Sequence, residues 1–286
     1  MTKLEVAGNV SDEEKLAVDG AAVCLYEEKV YAGAEDGKVK VYDHHSLALQ
    51  QEVTAHEYAV TDMITLGASL FTASVDCGVK VWDAATMTQR ATPPAHEEAV
   101  RKMATNGIHV FAGDDKGEVR LYDVDGRVKA THSLMEEVWG VHAQDSLLYT
   151  VRDRGITIYQ LFEESNKSSV VGTVEGRAPM VVEGEWLVSA DAAGMSLVVR
   201  DNKRGSFQVK GELKGHEMII TALVGCGGGR VVSAGWDNKA ILWDLATLKQ
   251  VAACSLPACA NALAASPDGC VFATGSGGFV CKLKIV

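Results

Sequence analysis

Residues 60–92 carry four short runs separated by turn residues. Val60 to Leu66 is mostly apolar, as suits a strand with both faces covered. Leu70 to Ala73 is a second such run. From Gly78 to Trp82, Val79 and Val81 fall on one side and Lys80 on the other, the two-residue period of a strand. Thr88 to Thr92 is polar, an outer strand that Pro93-Pro94 stops. Gly67-Ala68, Asp76-Cys77-Gly78 and Asp83-Ala84 supply the turns. No helical period intervenes. The stretch therefore predicts one four-stranded antiparallel sheet.

The same pattern returns along the chain. Strand pairs are predicted at Val30–Ala34 with Lys38–Tyr42, Val110–Gly113 with Glu118–Tyr122, and Leu147–Val151 with Gly155–Tyr159. They continue at Trp186–Ala190 with Ser196–Arg200, Val231–Gly235 with Lys239–Trp243, and Cys270–Gly275 with Phe279–Val286. Glu163 to Ser169, Asp201 to Ser206 and the glycine run Gly225 to Gly229 read as exposed hairpin loops.

Two markers keep time with these strands. His96 stands forty residues after His56, and three further steps of forty reach His216. Tyr42-Asp43, Trp82-Asp83, Tyr122-Asp123 and Trp243-Asp244 recur at nearly the same period. A Gly/Ala-His pair followed by an aromatic-Asp pair at this spacing resembles the WD-repeat β-propeller family. The resemblance implies an all-β fold: a seven-bladed β-propeller of four-stranded antiparallel blades. Seven units of forty fill nearly all of the 286 residues, so residues 1–286 are read as a single propeller domain. The last unit runs out after its third strand. The resemblance implies that the N-terminal strand, residues 3–10, completes blade 7, which pairs an otherwise open edge.

Within blade 2, the resemblance implies that His56, Ser74, Asp76 and Trp82 form a buried hydrogen-bonded network joining the strands. The same residue types suggest a Ser-His-Asp nucleophile, but no Gly-x-Ser-x-Gly elbow surrounds Ser74. The structural reading is preferred. Blade 6 has His216, Asp237 and Trp243, with Gly235 at the serine position. Blade 3 has His96, with Asp115 one place out of step and Tyr122 in place of tryptophan. Blade 1 has Asp36 and Tyr42. Blades 4, 5 and 7 lack the histidine, so a count of seven rests on spacing.

The resemblance also implies a binding face around the central channel, built from positions three and five after the histidine and from the second turn. Carried over, these positions hold Ala59, Thr61 and Val75 in blade 2, and Ala99, Arg101 and Asp114 in blade 3. Blade 6 offers Ile219, Thr221 and Trp236, and blade 1 offers Asp19, Ala21 and Glu35. Trp139 and Arg152 hold them in blade 4; Arg177, Met180 and Asp191 do so in blade 5. Tyr58 and Met218, two places after their histidines, join the candidates, as does Arg154. Trp236 is the leading anchor, because tryptophan and arginine carry much of the energy of interfaces. Arg101, Arg152, Arg154 and Arg177 together would favour an acidic or phosphorylated segment.

Composition narrows the partners. The net charge of −11 argues against DNA or an anionic membrane, which need a basic face. Seven cysteines with no Cys-x-x-Cys pair read as reduced, packed thiols of a reducing compartment. Residues 1–15 are polar and charged and read as no secretion signal. The expected location is the cytoplasm, or else the nucleus, of a eukaryotic cell. His44, His45, His109, His132 and His142 share no ligand spacing, and no phosphate-binding loop is present. The expectation is a non-enzyme with no metal or cofactor. Its leading role is a scaffold, a WD-repeat subunit of a hetero-complex that binds other proteins or peptides. The alternative is a reader of a short acidic or phosphorylated motif in a regulatory or degradation pathway.

Overall fold

A computed structural model describes residues 2–134, 136–162, 166–203 and 206–286. Among these residues the strands form seven four-stranded antiparallel sheets. Blade 1 comprises Gly20–Tyr26, Lys29–Ala34, Lys38–Asp43 and Leu49–Thr54, and blade 2 comprises Val60–Leu66, Ser69–Ser74, Val79–Asp83 and Gln89–Ala91. Blades 3 to 6 span 100–133, 140–175, 177–214 and 220–255 in the same order of strands. Blade 7 takes Ala260–Ala265, Cys270–Gly275 and Val280–Ile285 from the C-terminal end and Leu4–Asn9 from the other end of the chain. The fold is the expected seven-bladed propeller, closed by its N-terminal strand.

The core explains why the second strands read as continuous apolar runs. Seven buried clusters each join residues of two neighbouring blades, one for every seam of the ring. Phe71 and Val81 of blade 2 meet Val110 and Tyr122 of blade 3, for example. Tyr42 of blade 1 meets Phe272 of blade 7. A blade is thus covered on both faces, and every residue of Ser69–Ser74 and of Cys270–Gly275 is buried. The fourth strands face solvent on one edge and alternate, as in Leu49–Thr54.

Closure runs through Leu4↔Ile285, Val6↔Leu283 and Asn9↔Cys281, with an irregularity between Val6 and Gly8. Leu4 is buried in the seam between blades 6 and 7.

The loops expected from sequence need correction at their edges. Lys167 to Ser169 belong to the strand Lys167–Glu175, because Phe162 pairs with Lys167 and Leu161 with Ser168; residues 163–165 lie outside the described residues. Asp201 ends the strand Ser196–Asp201, and residues 204 and 205 also lie outside them. Gly225 ends the strand Ile220–Gly225, but the rest of the glycine run does turn: Gly227, Gly228 and Gly229 have φ of 76°, 64° and 72°, backbone that side chains with a Cβ rarely adopt. No helix among the described residues is long and apolar enough to cross a membrane.

Candidate functional site

Three blades contain a histidine-centred network. In blade 2, His56 Nδ1 lies 3.0 Å from Asp76 Oδ2, and His56 Nε2 lies 2.8 Å from Thr72 Oγ1. Trp82 Nε1 donates to the same hydroxyl at 3.0 Å. A carboxylate only accepts, so Nδ1 carries the proton, and the Thr72 hydroxyl donates to Nε2 while accepting from the indole. Blade 6 repeats the arrangement: His216 Nδ1 to Asp237 Oδ2 at 2.9 Å, Nε2 to Ser233 Oγ at 2.8 Å, and Trp243 Nε1 to Ser233 Oγ at 2.8 Å. In blade 3, His96 Nδ1 meets Asp114 Oδ2 at 3.0 Å and Nε2 meets Tyr122 Oη at 2.9 Å.

These distances change three sequence assignments. Ser74 is not the hydroxyl of the blade 2 network. Its Oγ donates to Tyr58 O at 3.3 Å and accepts from the Asp76 amide at 3.1 Å. Thr72 and Ser74 lie two apart on one strand and so share a face, and only the position deeper in the blade reaches both rings. His56 therefore does not face Ser74 as a base faces a nucleophile. Blade 6 is complete, because its hydroxyl is Ser233 and not the residue at 235. In blade 3 the network acid is Asp114 rather than Asp115. Val100↔Asp114 and Val60↔Ser74 are equivalent pairs, so Asp114 stands where Ser74 stands in blade 2. Ala112 takes the Thr72 position, which leaves the Tyr122 hydroxyl to reach His96 directly. Asp114 is fully buried and cannot line a partner-binding face.

The networks set a direction for the pH response. Burial holds His56 and His216 below the ordinary imidazole value of 6.5, against the pull of Asp76 and Asp237. Burial pushes the two carboxyls up, but the histidines and the backbone amides of Gly78, Glu57, Glu217 and Lys239 hold them below the ordinary 3.8. All four folded values lie below the unfolded ones. In the acid range the unfolded chain therefore binds more protons, and stability falls as pH falls. The urea midpoint should be level near pH 8, decline once pH drops below 6.5 and decline again below 3.8. A midpoint unchanged between pH 7 and pH 5 would show that the histidines contribute nothing to this response.

The turns between second and third strands and the connections between blades share one end of the ring, because antiparallel hairpins alternate ends. Tyr58, Trp139, Met218 and Trp236 are all exposed there, each between 44% and 56%. Trp139 lines a cavity of about 720 Å³ with Glu35, Arg101, Lys102, Asp115 and Glu137. Ala21, Ala59, Thr61 and Val75, positions carried over from the resemblance, also line it. A second cavity, of about 380 Å³, lies in the channel and holds Arg177 and Met180 beside Trp139 and Pro179. Trp236, Tyr58, Met218, Arg152 and Arg154 line neither cavity.

The four arginines are not gathered into one pocket. Arg101 is held by Asp115, with Nε to Oδ1 at 2.9 Å and Nη2 to Oδ2 at 2.6 Å. Arg177 lies in the channel, Arg152 is exposed at the end of the second strand of blade 4, and Arg154 is exposed on the turn after it. Lys102, Asp115 and Glu137 were not legible as site residues. Glu137 had one signal, its place two residues before Trp139, whose Nε1 donates to Glu137 Oε2 at 3.0 Å. The Asp115–Arg101 pair neutralises itself, and Lys102 lies 3.8 Å from Asp62. Glu137 remains beside an exposed indole, and Glu35 lines the same cavity from blade 1. An aromatic face with adjacent carboxylates suits a cationic side chain.

Residues 48–83 and 207–244 match the family model described as WD domain, G-beta repeat. These stretches contain the two complete networks, of blades 2 and 6. No curated protein matches the chain. Among solved structures, the crystal structure of the computationally designed Ika8 protein is similar, at 18% identity and a TM-score of 0.70, over 96% of this chain and 98% of that one. At that identity the likeness carries the architecture alone.

Proposed function

This chain is a WD-repeat β-propeller, and we propose on that footing that it holds a partner protein through the cleft over blades 1 to 4. Propellers of this family generally serve as protein-interaction scaffolds and are typically non-catalytic. The carrying observation is Trp139, exposed in a cavity of about 720 Å³ that Glu137 and Glu35 also line. The partner supplies a segment with a lysine or arginine that stacks on the indole and meets the two carboxylates. Tyr58 and Trp236 extend the contact around the same face. On this reading the protein is a non-enzymatic subunit of a hetero-complex. The dispersal of the arginines weighs against the acidic-motif reader.

A pull-down read by mass spectrometry compares the native chain with Trp139→Ala and Lys249→Ala, the latter on an outer strand. Truncating a central tryptophan anchor costs at least about 2 kcal/mol, or roughly thirtyfold in affinity. Trp139→Ala should lose the main partner while Lys249→Ala keeps it, both with unchanged melting. The reverse outcome would move the site to the propeller's side. Binding of phosphorylated or acidic peptides in preference to basic ones, abolished by Arg152→Glu, would favour the reader.

A further inference from the structure

At the opposite end of the ring, Glu28 lies in the turn between the first two strands of blade 1. His44 and His45 lie in the turn between its last two. The His44 amide donates to the Glu28 carbonyl at 2.9 Å, so the backbone fixes the two turns side by side. His45 Nε2 lies 2.6 Å from Glu28 Oε2. One ligand atom from each of the three residues lies within 4.8 Å of the other two.

His44 differs from its neighbours in being only 4% exposed. It is wedged against Phe272 of blade 7, with ring centroids 4.9 Å apart. Its Nε2 meets Ser266 Oγ at 3.2 Å, with the Asp268 carboxylate 3.9 Å away. Its Nδ1 is buried without a hydrogen-bond partner. A buried polar nitrogen left unpaired is destabilising and calls for an occupant. The arrangement resembles the outer support of a metal-bound imidazole. Nε2–H donates to an oxygen that fixes the ring, and the other nitrogen is left as a lone pair.

We propose that Glu28, His44 and His45 bind a divalent transition-metal ion of the zinc class, which clips two turns of blade 1 together at its seam with blade 7. Two imidazole nitrogens and a carboxylate oxygen form a ligand set that zinc accepts, with a fourth position left for water. Around a tetrahedral zinc the ligand atoms stand about 3.3 Å apart, given bonds of about 2.0–2.1 Å. Closing to that geometry needs small movements only. His45 and Glu28 can make them, with side chains 68% and 70% exposed, while His44 stays fixed. Lys282 donates to the His44 carbonyl at 3.0 Å and brings a like charge near the ion, which Asp268 offsets. Sequence spacing does not show this set, because Glu28 is brought to the histidines by the hairpin.

The test uses the full chain, reduced and stripped by a chelator, titrated with zinc in a calorimeter and melted with and without it. One ion should bind per chain and raise the melting temperature. His45→Ala and Glu28→Gln should each weaken zinc at least about tenfold, the scale seen on disturbing a metal's surroundings. Neither should alter the melting of the metal-free chain, since both side chains are exposed. Cobalt should bind at the same site without the thiolate charge-transfer band that cysteine ligation gives. The proposal is overturned if no one-to-one binding occurs up to millimolar zinc, if binding survives both substitutions, or if the thiolate band shows that cysteines hold the ion.

Discussion

Deletion of residues 1–10 lowers the melting temperature by about 10 °C or more and drives the protein to aggregate. Leu4–Asn9 is the outer strand of blade 7, hydrogen-bonded along Val280–Ile285. Its loss removes Leu4 from the seam with blade 6, a change that costs about 2–5 kcal/mol for truncation to alanine alone. The ladder bonds add about 1 kcal/mol each. The sum approaches the whole stability of an ordinary domain, about 5–15 kcal/mol, and a few degrees of melting temperature accompany each kcal/mol. The uncovered strand also presents unpaired backbone groups to a second chain. Size-exclusion chromatography and thermal unfolding check both effects. A monomeric truncated chain with an unchanged melting curve would contradict the role of this strand.

Asp114→Ala destabilises the protein by about 3–5 kcal/mol, the cost of removing one member of a buried pair, while its neighbour Asp115→Ala costs about 1 kcal/mol or less. The Asp114 carboxylate accepts from His96, from the Lys116 amide at 3.0 Å and from the Glu118 amide at 2.8 Å. Burial pushes its carboxyl up, but the His96 hydrogen bond and the Glu118 amide outweigh this and hold it below the ordinary range. Without it, buried His96 and two part-buried amides lose their acceptor. Asp115 faces solvent and meets Arg101 at the cleft rim, where ion pairs are screened. Urea unfolding of the two variants decides the matter. A larger loss for Asp115→Ala would return the network to residue 115.

Alternation along strands was enough to place blade 2. Val60 to Leu66 is a strand with those bounds, the run Leu70 to Ala73 extends by one residue at each end, and the run Gly78 to Trp82 shifts by one. The extra strand at the N-terminus was equally legible, because Leu4, Val6 and Gly8 fall on one side of a two-residue period. The repeat of His56, His96 and His216 indicated a ring of units that cannot bury their faces alone. Such features are local: they follow from which faces of a strand are wet and which turns the backbone tolerates.

The partners of polar side chains were decided only by the tertiary structure. Thr72 and Ser74 lie on one face of one strand, so spacing ranks them equally, and depth in the blade makes Thr72 the bridge between His56 and Trp82. Arg101 looked free in sequence and is held by Asp115, fourteen positions away. Trp139 and Glu35 come from blades not adjacent in the chain and line one cleft. Glu28 meets His45 because two hairpin turns of blade 1 lie at one end of the ring. Hydrogen bonds and ion pairs depend on distances of a few ångströms between segments far apart in sequence. Strand periodicity sets which way a side chain points, and the closed ring sets what it finds there.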